Sequence, residues 1–342
     1  MGSLFNLTEK SIIYIVAPPS YTSGGPELLH QLCHILRNNG MDARMYYFDT
    51  NSGHRVYESP KPNKFNQYNT IYDPNIEDNI KNLLIVPENI NSPLEYYKKI
   101  QKCVWWLGAN NYFWLEEVSE NKYLRFIYHW SRFLIGKKTP LSFSRIKKQN
   151  TKHLAQCWYT ISFLTNKGLN NIPYLSDYTN EIYKEIYEKG LYQNKKRKNL
   201  ILYNPKRNQK ILNIIKRKVP QIQFIAIENM KNEQIIELMC SSKIYMDFGS
   251  HPGKDRLPRE AVMCGCCVIT STLGSAGYYE DLPISSEFKF ARNKENINEI
   301  IKKIYYIFDN YESETVKFDY YRNVIYEEKN KFIEDVNKIF LN

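Results

Sequence analysis

A short apolar, β-branched run, a glycine-bearing turn and a helix-period stretch follow one another near the start of this chain, and the same alternation begins again after residue 198. That double series constrains the fold more than any single residue does. Ser11–Pro19 (SIIYIVAPP) has the length and composition of a buried parallel strand. Ser20–Pro26 (SYTSGGP) is a turn, and Glu27–Asn39 carries Leu28, Leu29, Leu32, Ile35 and Leu36 at helical spacing before Gly40 stops it. Met45–Phe48 reads as the next strand. Further strands are expected at 82–86, 102–107 and 153–159, with a short helix over Thr160–Lys167 ended by Gly168. In the second series, strands are expected at 199–203, 223–227, 243–248 and 266–270, alternating with helices at 208–218, 232–240 and from Arg259. Two amphipathic helices, Ile297–Asn310 and Val324–Phe340, close the chain. The pattern repeats although the sequence does not.

Alternating strands and helices in two runs predict an α/β chain of two doubly wound domains, with a ligand in the cleft where they face each other. The length of 342 residues agrees, because single cores stop growing near 250–300 residues. The boundary is expected in the polar stretch Asn180–Lys198, dividing the chain into 1–178 and 179–342. Leu115–Asn150 is a less regular insertion in the first domain. The helix at 324–340 is expected to pack back on that domain.

No apolar run approaches the ~20 residues of a membrane-spanning helix, and the N-terminus lacks a secretory pattern, so a cytoplasmic protein is expected. The seven cysteines include no pair of C-x2-C spacings, and most lie in apolar runs. Buried thiols are therefore expected, not a zinc site.

The most informative stretch runs from Asp247 to Asp281. A strand ends near Phe248, and a loop with Gly249 and Gly253 feeds a helix near Pro258, which suits a first turn. The amides of such a turn favour a diphosphate. Lys254 and Arg256 add full charges there, and Glu260 suits hydrogen bonds from two ribose hydroxyls.

Pro258-Arg-Glu-Ala-Val-Met-Cys-Gly-Cys-Cys-Val-Ile269 resembles the E-A-x-A-x-G-x-P-V-I signature of GT-B glycosyltransferases. Asp247-Phe-Gly-Ser-His-Pro-Gly-Lys-Asp-Arg-Leu-Pro-Arg-Glu-Ala261 is similar to the D-F-G-x-H-P-G-K-D-R-x-P-R-E-A stretch of bacterial and viral polysaccharide-locus glycosyltransferases. That resemblance extends to Ser23-Gly-Gly-Pro-Glu-Leu-Leu-His-Gln-Leu32, Trp105-Trp-Leu107 and Leu202-Tyr-Asn-Pro-Lys206. It implies two Rossmann-like domains, a nucleotide-sugar donor on the second and a saccharide or lipid-linked saccharide acceptor on the first. The chain departs from the retaining group at Pro252, eight residues before Glu260, where that group has a sugar-contacting Glu. The stereochemical outcome does not carry over, and His251, Asp255 or the amides around Gly253 stand as substitutes.

The candidate donor set is Gly24, Gly25, Lys206, Arg207, Gly253, Lys254, Arg256, Glu260, Gly274 and Ser275. Lys206 and Arg207 follow a strand, at the carboxyl end where open sheets bind ligands. Gly24 and Gly25 allow close backbone approach, and Gly274 and Ser275 close on the sugar or base. His251, Glu27 and His30 are the candidate catalytic groups; an isolated histidine is as readily a core residue. No Asp-x-Asp pair occurs, so no metal or other cofactor is expected. A CMP-sugar donor remains an alternative because His251-Pro252 also occurs in sialyl- and Kdo-transferases, as does an inactive carbohydrate- or nucleotide-binding scaffold.

The formal charge of +11 is unevenly placed: Lys122–Lys148 carries eight Lys or Arg and no acidic residue, interleaved with Tyr123, Phe126, Tyr128, Trp130 and Phe133. That mixture suits the anionic inner face of a cytoplasmic membrane. Nucleic acid is not expected as a partner, since no recognised binding motif accompanies the basic stretch.

Overall fold

The computed structural model describes residues 4–49, 61–112, 123–124, 127, 130–131, 134, 140–193, 195–207 and 209–341. The chain forms two compact units, Met1–Asp177 with Asn330–Asn342, and Tyr178–Lys329.

The first unit holds a parallel sheet of β1 (Ile12–Ala17), β2 (Asp42–Tyr47), β3 (Ile71–Tyr72), β4 (Leu83–Pro87), β5 (Gln101–Trp106) and β6 (Lys152–Ala155), in the order β3-β2-β1-β4-β5-β6. The order reverses between β1 and β4, which is the place where such sheets open to a ligand. β4 (LLIVP) is buried at every position, as a strand covered on both faces must be. Helix α1 (Gly24–Asn38) buries the predicted Leu28, Leu29, Leu32, Ile35 and Leu36, and also Glu27, His30 and Gln31. The paired tryptophans of β5 point to opposite faces. Trp105 stacks on Phe332 and donates its indole N–H to Leu175 O (3.1 Å), and Trp106 donates to His153 Nδ1 (3.1 Å).

The remaining helices of this unit are α2 (Ala109–Tyr112), α3 (Phe143–Lys148) and α4 (Trp158–Asn166). The strand expected at 153–159 ends at Ala155. Cys157 turns the chain into α4, so Trp158 and Tyr159 are helical despite their β propensity.

The second unit begins with α5 (Glu181–Glu188), inside the stretch read as polar linker. Asn180 caps it by accepting from Ile182 N (3.1 Å), and Tyr183 and Ile186 are its buried pair. Then follow β7 (Lys198–Tyr203), α6 (Gln209–Lys218), β8 (Gln223–Ala226), α7 (Asn232–Ser241), β9 (Ser242–Asp247), α8 (Arg256–Met263), β10 (Cys267–Ser271) and β11 (Lys289–Phe290). Their parallel sheet runs β11-β10-β9-β7-β8, reversing between β7 and β9. Helix α8 starts three residues before the expected position, so Pro258 is its third residue and Glu260 its fifth.

Helices α9 (Ile297–Asp309) and α10 (Tyr311–Val316) precede the last helix, α11 (Asp319–Phe340). Residues of α11 through Lys329 belong to the second unit, and those from Asn330 to the first, where Phe340 stacks on Phe5. All seven cysteines are free and buried. No helix among the described residues is long and apolar enough to cross a membrane.

Candidate functional site

In the second unit the chain leaves β9 at Asp247 and reaches α8 through residues 248–255. This loop is fixed from beneath by a buried polar network. Asp247 accepts from Gly249 N (2.8 Å) and from the Tyr245 hydroxyl (3.1 Å). His251 sits at φ +42° with Nδ1 2.7 Å from Asp255 and Nε2 2.9 Å from the Thr270 hydroxyl. That hydroxyl donates its own hydrogen to Asp247 O (2.9 Å), so it accepts from His251, and both ring nitrogens act as donors. Two such acceptors favour the protonated ring. Burial opposes the charge, but the hydrogen bond and charge of Asp255, with Asp247 behind it, hold the pKa above its usual value. Asp255 lies below its usual value despite burial, because it accepts from His251 and faces Arg207 at 2.6 Å.

The loop after β10 is stitched to the same segment. Ser271 donates to Gly249 O (2.7 Å), Ser275 donates from its hydroxyl to Gly253 O (2.6 Å), and Ser275 N donates to His251 O (2.9 Å). Gly274 at φ +60° lies so close that a Cβ there would meet Ser250 O at 2.0 Å and His251 O at 2.1 Å. A side chain does not fit.

Below the loop, Arg259 is wholly buried. Its guanidinium donates to Asp255 O (3.3 Å), Lys254 O (2.9 Å) and Glu328 (2.8 Å), and Glu328 also holds the Lys254 ammonium (3.0 Å). The Tyr183 hydroxyl of α5 donates to Asn232 (3.3 Å), and burial with the nearby Glu260 carboxylate pushes its phenol well above the usual range.

The sequence-nominated groups therefore divide. Lys206 is exposed in the loop after β7, Arg256 and Glu260 are half-buried on α8, and Gly253, Gly274 and Ser275 form the loop backbone beside them. Arg207 and Lys254, expected to face the diphosphate, are ion-paired with Asp255 and Glu328. His251, expected as a catalytic group, is 2% exposed with both ring nitrogens in the hydrogen-bond network that frames the loop. Glu27 and His30 are likewise buried in α1: Glu27 accepts from the Tyr68 hydroxyl (2.9 Å), and His30 bridges Pro26 O (2.6 Å) and the Tyr47 hydroxyl (2.8 Å). Burial pulls the His30 pKa down to about 4.

Among the described residues, Asp247, His251 and Asp255 are the group whose ligand atoms come close enough to suggest a metal, within 4.8 Å. Each also takes part in the hydrogen-bond network of the loop.

The first unit has its own concavity, a cavity of about 450 Å³ at the carboxyl ends of β1 and β4, beside the start of α1. Pro18, Tyr21, Gly25, Leu107 and Asn111 line it, with Glu88 directly after β4. The Glu88 carboxylate accepts from Leu107 N (2.8 Å), and burial drives its pKa up to about 7 against the pull of the Leu107 and Gly108 amides and the Asn111 side chain. Among the described residues no cation pairs with it. Sequence reading missed Glu88, although an acid following a wholly apolar strand was the available signal.

No sequence-family model matches the chain, and no curated protein matches it in sequence. Solved structures do match, over nearly the whole length. A glycosyltransferase from Rickettsia africae ESF-5 superposes with a TM-score of 0.58 at 14% identity, covering 97% of this chain and 99% of that one. WaaG, a glycosyltransferase involved in lipopolysaccharide biosynthesis, gives 0.57 at 12% identity, covering 97% and 100%. Anabaena Alr3699/HepE in complex with UDP-glucose gives 0.56 at 9% identity, covering 95% and 98%. The chain has the GT-B fold. The two sheets, with their two points of strand-order reversal, are the Rossmann-like domains of that fold; the first-unit cavity and the 248–255 loop of the second unit lie at those points.

Proposed function

We propose that this GT-B chain transfers a sugar from a nucleoside-diphosphate donor to a saccharide acceptor, with the donor on the second unit and the acceptor on the first. The observation that carries the reading is the rigid 248–255 loop at the start of α8, with Arg256, Lys206 and Glu260 around it. Match to a structure that binds UDP-glucose over 95% of this chain supports it. The diphosphate would lie against the helix start and the two cations, and Glu260 would accept from the ribose hydroxyls. As the acceptor oxygen bonds to the sugar carbon, the sugar–phosphate bond breaks and the nucleoside diphosphate leaves. Fixed amides and cations stabilise that leaving charge without a metal. The acceptor hydroxyl occupies the first-unit cavity and gives up its proton to Glu88, whose pKa near 7 suits that task. Nucleotide release should be measured across UDP-, GDP-, ADP- and CMP-sugars. Release from a nucleoside-diphosphate sugar, reduced at least tenfold by Arg256→Ala and by Glu260→Ala, is expected; release from CMP-sugars alone, or no loss in either variant, overturns the reading.

The acceptor is proposed to be lipid-linked, on an anionic membrane. Tyr123, Leu124, Ile127, Trp130 and Leu134 are helical and strongly exposed, Tyr123 at 78%, within the stretch that holds eight basic residues and no acid. Their spacing places them on one helical face. Trp130→Ser with Leu134→Ser should reduce sedimentation with phosphatidylglycerol vesicles severalfold. Equal binding by wild type and variant removes the membrane from the proposal.

A further inference from the structure

The second unit carries another cationic concavity, at the end of its sheet away from the candidate donor site. It is a cavity of about 870 Å³ at the amino ends of β7 and β9, with Tyr192, Lys195, Lys196, Arg197, Lys243 and Tyr311 among its walls. That volume is within the range of small-molecule sites. Arg197 donates only to main-chain carbonyls: Met239 and Ser242 (2.9 Å each), Tyr192 (2.9 Å) and Cys264 (2.7 Å). Lys243 donates to Phe308 O (2.5 Å) and lies 5.8 Å from the Tyr311 ring centroid. Among the described residues no carboxylate pairs with Lys195, Lys196, Arg197 or Lys243. Asp309, Glu312 and Asp319 also line the cavity, and Asp319 is already paired with Arg322. The balance of full charges favours an anion, and the tyrosine rings offer an apolar wall beside it.

The walls also hold the far end of α8. Arg197 bonds Cys264 O, Tyr311 donates to Gly265 O (2.7 Å), and Arg322 donates to Val262 O (3.0 Å). These three carbonyls close the last turn of the helix whose other end carries Arg256, with Glu260 between. Eight residues at a rise of about 1.5 Å put the two ends roughly 12 Å apart. A group that draws Arg197 or Arg322 toward the cavity therefore acts on the seat of α8.

We propose that this cavity is a second anion site, taking a small phosphate-bearing molecule, and that its occupancy alters donor binding through α8. The site itself stands independently of the transferase reading; only the coupling rests on it. Lys195 and Lys196 are exposed and outside the donor site, so they can be changed without disturbing the framework. Pyrophosphate binding should be titrated calorimetrically in the Arg256→Ala chain, whose donor site is weakened, and in Arg256→Ala with Lys195→Ala and Lys196→Ala. Binding that persists in the first and weakens at least tenfold in the second, at equal thermal stability, is expected. Equal affinity in both, or no binding to the first at millimolar pyrophosphate, overturns the site. For the coupling, pyrophosphate should change donor KM severalfold beyond simple competition in the otherwise native chain and not in Lys195→Ala/Lys196→Ala. An identical response in the two overturns the coupling and leaves the site, while a chain that transfers no sugar yet passes the calorimetric test refutes the transferase reading alone.

Discussion

The mouths of the two sheets use the same scaffold in opposite ways. Each lies where strand order reverses in a parallel sheet, and each has a glycine-bearing loop leading into a helix. In the second unit nearly every polar side chain beneath the loop is engaged. His251, Asp255 and Arg207 form one chain of charges, and Arg259, Glu328 and Lys254 form another. In the first unit the cavity remains open, walled by proline and leucine, with the carboxyl of Glu88 held by N–H donors and, among the described residues, by no cation. Buried charge in a matched network costs less than buried charge alone, and leaving one member unpaired is strongly unfavourable. The networked side chains are thus suited to holding a backbone shape, and the unpaired carboxyl to changing its protonation. The difference separates the residues that build a site from those that act in it.

The glycines break this comparison most directly. Gly274 combines φ +60° with backbone oxygens at 2.0 and 2.1 Å from any added Cβ, so Gly274→Ala should destabilise the second unit by roughly 2–4 kcal/mol. Gly25 has no such constraint: its nearest neighbour would be the Leu107 side chain at 3.6 Å, an ordinary contact. Gly25→Ala should leave thermal unfolding within a degree or two of wild type while raising acceptor KM severalfold, because the methyl enters the cavity. Unfolding curves and acceptor titrations of the two variants check both halves. Equal stability losses would mean that the first mouth is as tightly built as the second.

Much of this was legible in advance, and the failures have a common cause. Apolar runs such as Leu83–Val86 and the period of α1 identify themselves, because burial on two faces or one face writes its own spacing. The expected strand at 153–159 failed where tertiary context overrode the propensity of Trp158 and Tyr159. The cluster from Asp247 to Ser275 was also visible, being local in sequence. What could not be seen was pairing across distance. Glu328 lies 74 residues beyond Lys254 and 69 beyond Arg259, and it ion-pairs with a residue expected to face the phosphate. Tyr68 claims Glu27 from 41 residues away, and Tyr47 claims His30 from 17. A charged residue beside a glycine loop announces its chemistry but not its partner. The same holds in reverse for Glu88, whose buried carboxyl meets N–H donors and, among the described residues, no cation.

Glu88 gives the smaller and sharper test. Its folded pKa, near 7, lies above the ordinary carboxylate value of 4.5, so between those limits the folded chain binds more protons than the unfolded one. The contribution of Glu88 to stability should therefore fall as pH rises from about 4.5 to about 7, by up to roughly 3 kcal/mol, against the opposite contribution of His30, whose pKa is held down to about 4. Glu88→Gln removes the titration and should flatten that slope. Activity should move the other way. A carboxylate that takes the acceptor's proton must be ionised, so kcat/KM in the native chain should rise with pH through about 7 and level off. Glu88→Gln should lose that limb along with most of the rate, while donor binding, which belongs to the second unit, stays within twofold. Were the pH limb to survive the substitution, Glu88 would belong with Glu27 among the groups that only hold the fold, and the contrast between the two mouths would lose its chemical meaning. If the stability slope vanishes and the activity limb with it, a single carboxyl accounts for both, as its burial among neutral N–H donors requires.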